Sequence, residues 1–165
     1  MNRTLTDTPA SPAPTRLDPS GPQAGDAAAL EAVRRRILID QSRDGIVVLD
    51  QNGRVHDANR KFVEMLGYSA EEALDLHVWD WDTQWTRPEL LEMIRLVDAA
   101  GAHFETRHRR KDGTLLDVEI STNGAVFGDD KLVFCVCRDI SQRKAAESAL
   151  RDREEVYGAI RTCST

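Results

Sequence analysis

The segment that most limits the folds open to this chain runs Asp44-Gly45-Ile46-Val47-Val48-Leu49-Asp50-Gln51-Asn52-Gly53-Arg54-Val55-His56-Asp57-Ala58-Asn59. An apolar run meets Asn52-Gly53, the pair that most favours a two-residue type I′ turn because both turn positions want positive φ, so a β-hairpin is expected here. Asn59 stands where a helix needs a side-chain acceptor for its unpaired N–H groups. Phe62, Met65 and Leu66 follow at i, i+3, i+4 spacing, and Gly67 stops the helix where a left-handed residue is wanted. The order is strand, turn, strand and capped helix, and none of it requires a catalytic group.

Downstream, Ser69-Ala70-Glu71-Glu72 reads as a capping box, with Ser69 and Glu72 exchanging hydrogen bonds with each other's backbone amides. A short helix through Leu74 follows. Thr86-Arg87-Pro88-Glu89 repeats the device and opens a longer helix with Leu90, Leu91, Met93, Ile94 and Val97 on its core face, ended by Gly101. The second half is strand and turn. Ala102–Arg110 is one strand, and Lys111-Asp112-Gly113 turns it. Leu116, Val118 and Ile120 alternate with Asp117, Glu119 and Ser121, the mark of burial on one side. Gly128-Asp129-Asp130 turns again into Leu132-Val133-Phe134-Cys135-Val136-Cys137, apolar at every position, which implies a central strand buried on both faces. The expected fold class is α+β, a five-stranded antiparallel sheet with short helices on its inner face and flanking terminal helices that cover its outer face or pair with another chain.

At the N-terminus, five of the six prolines fall in the first 25 residues among small and polar neighbours. Such a stretch buries too little to offset its ordering entropy, so residues 1–25 are expected to be disordered. Residues 26–42 read as a helix with a narrow seam of Leu30, Val33 and Ile37, beside Arg34, Arg35 and Arg36. Residues 43–140 are the expected core, and 141–165 a charged C-terminal helix in which Ala146, Ala149, Val156 and Ile160 fall near heptad positions, interrupted by Arg153.

A net charge of −6 over 165 residues argues against a nucleic-acid surface. The one basic run, Arg107-His108-Arg109-Arg110-Lys111, reads first as a solvated strand edge, with phosphate or an acidic partner as the alternative. No run approaches a membrane span and no signal peptide is recognisable, so a cytoplasmic location is expected. Three cysteines make no disulfide framework. Cys135 and Cys137 read as small apolar side chains on one strand face, and Cys163 lies in an expected frayed tail. No metal site is evident. The sequence lacks a nucleophile elbow, a phosphate loop and a His-Glu-x-x-His motif, and His56-Asp57 point to opposite faces of a strand, so no enzyme is expected.

In this order and spacing, Asp44-Gly45-Ile46, Asp57-Ala58-Asn59, Leu66-Gly67-Tyr68, Arg110-Lys111-Asp112-Gly113 and Cys137-Arg138-Asp139-Ile140-Ser141 resemble the PAS domain family of signalling sensors over about residues 38–143. The resemblance implies that Arg138, Asp139, Ile140 and Ser141 are the joint through which a sensor core addresses an output helix. Ser141 replaces the family's threonine and keeps the hydroxyl. Glu154–Ile160 resembles the opening of another PAS repeat, which implies a fragment of a larger protein ahead of a histidine kinase or cyclic-di-GMP enzyme. The photoreactive cysteine of flavin-binding members is missing from His77-Val78-Trp79-Asp80-Trp81-Asp82, and residues 87–100 contain no haem-ligating histidine. His77 is a poor substitute ligand. Covalent flavin and the usual haem ligation are therefore disfavoured, while non-covalent flavin or a small metabolite remains open and the cofactor unknown.

Trp79, Trp81 and Trp85 read either as a lid packed on the sheet or as the wall of a pocket for a small apolar or planar ligand, with Asp80 and Asp82 placing negative charge at its entrance. The expected pocket residues are Met65, Trp79, Trp81, Leu91, Ile94, Phe104, Val118, Ile120 and Phe134. A homodimer is expected through Leu30, Val33, Ile37, Val133 and Cys135. Two functions follow: a sensory and dimerisation module that relays ligand or partner binding, or a constitutive interaction domain with a filled interior. Interior volume separates them, since a chamber of about 300 Å³ or more supports sensing.

Overall fold

The structure, a computed structural model, describes residues 24–162. The expectations for the first 23 residues, for the side chains of Val156 and Ile160 and for Cys163 lie outside the described residues. The elements are α1 (Ala24–Asp40), β1 (Gly45–Asp50), β2 (Val55–Ala58), α2 (Arg60–Leu66), α3 (Ala70–Ala73), α4 (Val78–Trp81), α5 (Arg87–Leu96), β3 (Ala102–Arg109), β4 (Leu115–Phe127), β5 (Asp130–Asp139) and α6 (Ser141–Thr162). The chain divides after Arg34 into two units. In the first, Leu30 and Val33 are about half exposed on the helix. The sheet and the chamber lie in the second.

Five strands form one antiparallel sheet in the order β2-β1-β5-β4-β3. The strand that is apolar at every position is central, between β1 and β4. The basic-ended β3 is an edge, where exposed Arg107 and Arg109 discourage pairing with another sheet. Phe62, Leu66, Leu116 and Val118 are almost fully buried between the helices and the sheet. Each such side chain contributes about 1.5–3 kcal/mol by leaving water.

The first hairpin differs from expectation. Gly53 has φ 79°, but no non-glycine residue among those described has positive φ, so Asn52 does not take part in a type I′ turn. The loop has three residues instead. The Gly53 N–H donates to the Asp50 carbonyl at 3.0 Å, and the Asp50 N–H donates to the Arg54 carbonyl at 2.9 Å. The Asp50 carboxylate accepts from the Asn52 and Arg54 amides at 2.8 and 3.0 Å, which holds a right-handed turn that glycine alone then reverses.

Asn59 fastens three segments together. It is 1% exposed, and its Oδ1 accepts from the Phe62 N–H at 2.9 Å, capping α2, and from the Ile46 N–H at 2.8 Å on β1. Its Nδ2 donates to the carbonyls of Ile39 in the last turn of α1 and of Asp44, at 3.0 and 3.1 Å. Gly67, at φ 80°, closes α2 as expected, and Ser69 and Glu72 form the capping box of α3. Glu89 accepts from the Thr86 N–H at 2.7 Å at the start of α5.

That helix is shorter than its pattern suggests, ending at Leu96 and not at Gly101. Asp98 takes over the backbone there, accepting from the Ala100 N–H at 2.9 Å in an Asx turn that competes with helix continuation. The turn presses on β4. The Gly124 N–H donates to the Asp98 carbonyl at 2.8 Å, and a Cβ on Gly101 or Gly124 would sit 2.3 or 2.4 Å from the Thr122 or Val97 carbonyl oxygen.

Candidate functional site

A cavity of about 360 Å³ lies between α4, α5 and the inner face of the sheet and opens to solvent. Its exposed liners, Leu96, Asp98 and Ala102, form the mouth. Its buried liners, among them Trp81, Asp82, His108, Ile120 and Cys135, form the floor. Strand β3 runs from one to the other, since residues two apart share a face and Ala102, Phe104 and His108 all line the chamber. Trp85 and Phe104 meet edge to face at 5.2 Å in the wall, and Trp81 meets Phe62 likewise at 5.4 Å beneath the floor.

Of the expected pocket residues, Trp81, Ile94, Phe104 and Ile120 line the chamber, and Met65, Trp79, Leu91, Val118 and Phe134 do not. Met65 and Val118 are buried in the core, and the tip of Met65 lies against β1 at Gly45. Trp79 stacks on His77 at 4.6 Å with the Arg87 guanidinium 4.3 Å from its ring centre, outside the chamber. On α5 the phase is set by Leu90 and Ile94, which are buried, leaving Leu91 to one side.

The assignment of β5 is reversed. Phe134 is 40% exposed, whereas Val133 and Cys135, expected on the outer face, are buried and line the chamber. Cys135 lies opposite Val47 and Thr122, both inward-facing. On a strand apolar at every position nothing in the strand itself selects the face, and a one-residue error exchanges them all. The usable signal was Arg138. It shares Phe134's parity and lies opposite Glu119, a polar position of an alternating strand.

Two further expectations are corrected. Asp82 is not charge at the entrance. It is buried, its Oδ2 accepting from Thr106 Oγ1 at 2.8 Å and its Oδ1 from the Gln84 amide at 2.9 Å, and burial raises its pKa. Asp80 accepts from the His77 amide at 2.7 Å. His108 is not part of a solvated edge. It is fully buried, neither ring nitrogen has a hydrogen-bond partner among the described residues, and burial lowers its pKa to about 3. Sequence reading passed over it because a run of Arg and Lys hides a residue whose even spacing from Phe104 puts it on the core face.

Burial also governs the cysteines. It pushes the Cys135 thiol up to about 11, against a hydrogen-bonding contact with Thr122 at 3.3 Å, and raises Cys137 well above the ordinary range. Thiolates alkylate and thiols do not. Iodoacetamide near neutral pH is therefore expected to leave Cys135 and Cys137 unlabelled in the folded protein and to label both in concentrated guanidinium, read by peptide mass mapping. Rapid native labelling of either would mean that its thiol is reachable from solvent.

The expected relay residues sit where the sheet hands the chain to α6. Arg138 pairs with Asp44 through Nη2–Oδ2 at 2.9 Å. Asp139 Oδ1 accepts from the Ser141 N–H at 2.9 Å, at the start of α6. Ile140 is buried and its N–H donates to the Asp117 carbonyl at 3.0 Å. Ser141 Oγ accepts from the Asp117 N–H at 3.3 Å. The first turn of α6 is further pinned by Arg143 and Lys144 to Glu105 at 2.8 and 2.9 Å. Glu105's carboxyl is held below its usual range, chiefly by the hydrogen bond from Lys144. At the other end, the Arg36 guanidinium joins α1 to Asp57 at 2.7 Å and to the Ala58 carbonyl at 3.0 Å.

A single five-stranded antiparallel sheet, roofed on one face by short helices over a chamber and flanked by terminal helices, defines an α+β sensor-type fold. Residues 43–142 match the PAS domain family model, and the chain belongs to that family. It is 32% identical over 131 residues to the methyl sulfide methyltransferase-associated sensor of Methanosarcina acetivorans, a match covering 78% of this chain and 13% of that protein. It is 30% identical over 118 residues to the diguanylate cyclase DgcM of Escherichia coli, covering 69% of this chain and 26% of that one. This chain thus matches only a minor part of each of these relatives. The crystal structure of the PAS domain of an HTR-like protein from Haloarcula marismortui superposes with a TM-score of 0.66 at 24% identity, covering 70% of this chain and 97% of that one.

Proposed function

We propose that this chain is a non-catalytic sensory and dimerisation module. In this reading a small ligand enters the chamber, and the resulting change passes through Arg138, Asp139, Ile140 and Ser141 into α6. An output domain, a histidine kinase or a cyclic-di-GMP enzyme, would receive it. The observation that carries the reading is the chamber itself. At about 360 Å³ it falls in the range of small-molecule sites, where a constitutive interaction domain would fill that space with side chains. The named activities of the two relatives, a sensor and a diguanylate cyclase, accord with placement in a signalling chain.

Dimerisation is part of the proposal. Leu30 and Val33 of the first unit would meet their counterparts in a second copy, and so, separately, would Ile37 and Phe134 of the second; each is 40–55% exposed. A cytoplasmic location is proposed on the sensor reading, and no helix among the described residues is long and apolar enough to cross a membrane.

Relay through the joint requires that the two states of the core hold α6 differently. Asp139 holds it by capping Ser141 and by lying 3.7 Å from Arg110. Asp139→Ala is expected to cost about 1 kcal/mol of global stability, the usual loss of a cap. Amide exchange in the first two turns of α6 should rise by more than exchange in β4 or β5. Equal increases in helix and sheet would remove Asp139 from the relay. Native mass spectrometry and an absorption spectrum of the purified chain test the chamber directly, by extra mass or by visible bands.

A further inference from the structure

The floor of the chamber carries an unanswered polar demand. His108 is fully buried and lines the cavity, yet neither of its ring nitrogens meets a donor or acceptor among the described residues. Buried polar groups are ordinarily paired, and the exceptions call for a reason. Asp82, also a liner, faces it across a gap, its Oδ2 3.9 Å from His108 Nε2, too far for a hydrogen bond. A hydroxyl oxygen roughly 2.8 Å from each atom would close that gap, accepting from the imidazole N–H and donating to the carboxylate.

The rest of the lining narrows the choice. Apart from Asp82 and Asp98 every liner is uncharged or only weakly basic, and no lysine or arginine lines the chamber. An anionic ligand would meet two carboxylates and no compensating cation, which discriminates against it more strongly than any contact favours it. Trp81, Trp85 and Phe104 offer ring faces and edges along the wall, which suit a flat apolar body.

Building on the reading of this cavity as a ligand chamber, we propose that it takes an uncharged, flat, largely apolar compound bearing one hydroxyl, seated with that hydroxyl between His108 and Asp82. Mouth and floor then have separate tasks. The apolar wall supplies affinity, and the His108–Asp82 gap selects the compound and sets its direction.

Isothermal calorimetry on the whole chain tests this with three compounds of one shape: 2-naphthol, 2-methylnaphthalene and 2-naphthoate. The expected order is 2-naphthol first, 2-methylnaphthalene about tenfold weaker for want of the hydroxyl, and 2-naphthoate weakest. His108→Leu should bring 2-naphthol to the level of 2-methylnaphthalene without weakening the latter. His108→Gln, which keeps a donor and an acceptor, should retain part of the preference, and it decides the matter if the leucine variant does not fold. Equal binding of 2-naphthol and 2-methylnaphthalene by the unaltered chain overturns the hydroxyl assignment and leaves the chamber intact. Binding of 2-naphthoate as tight as that of 2-naphthol overturns the charge argument. Silence from all three overturns the chamber reading itself.

Discussion

Asn59→Ala is expected to lower the stability of the fold by about 3–5 kcal/mol, enough to remove much of the margin of an ordinary domain. Alanine deletes the cap of α2, worth about 1 kcal/mol alone. It also strands the Ile46 and Phe62 amides and the Ile39 and Asp44 carbonyls, all within a site where Asn59 is 1% exposed. Each buried group left without a partner costs about 1–3 kcal/mol, discounted here because the carbonyls have a second chance of pairing. Urea denaturation should show a lower midpoint at an unchanged slope, since the surface exposed on unfolding is the same. A loss under about 1 kcal/mol would show that Asn59 caps a helix and does nothing more. The same variant should loosen the end of α1, because Ile39 lies in its last turn.

The second large effect is on acid stability, and it comes from His108. Its pKa is lowered from 6.5 to about 3 by burial, so between those values the unfolded chain binds a proton that the folded chain refuses. Its contribution is therefore complete above pH 6.5 and is lost as pH falls toward 3, at about 1.4 kcal/mol per pH unit and on the order of 4–5 kcal/mol in all. Asp82 has the opposite sign. Its carboxyl is raised by burial, so its part of the stability grows on acidification and partly offsets the loss, but only in the carboxylate range. His108→Leu should flatten the stability curve between about pH 6.5 and 5, where few carboxylates titrate. The same variant should be more stable near neutrality by about 1–3 kcal/mol, because no unmade hydrogen bond remains. Urea midpoints of the two proteins across that interval provide the comparison, and parallel curves would mean that His108 is paired in solution.

Where local chemistry speaks for itself, the sequence was readable. Asn59, Ser69 and Gly67 act as caps and stops because their side chains, or the lack of one, satisfy helix ends within three or four residues. The alternation in β4 fixed its inner face, and the unbroken apolar run of β5 placed it centrally. The failures have three causes. In β5 and α5 more apolar residues are present than one face can take, so composition names the element but not its orientation. Phe134, Leu91, Val133 and Cys135 were misassigned for that reason. At Gly53 and Gly101 a nearby aspartate, Asp50 or Asp98, redirected the backbone through its own carboxylate. His108 and Asp82 were missed because charged letters suggest solvent; strand parity with Phe104 marks His108 as inward, while Asp82 turns inward for a reason that only the fold reveals.

Beside the mouth of the chamber, at Gly101 and Gly124, main chain rests directly on main chain, and neither position has room for a side chain. A descendant adapting to another molecule would find that seam closed to gradual change and would have to rewrite the neighbouring Leu96 and Asp98 or the deeper residues instead. Chemical preference should therefore shift through the side chains on either side of it, with the glycine seam itself kept.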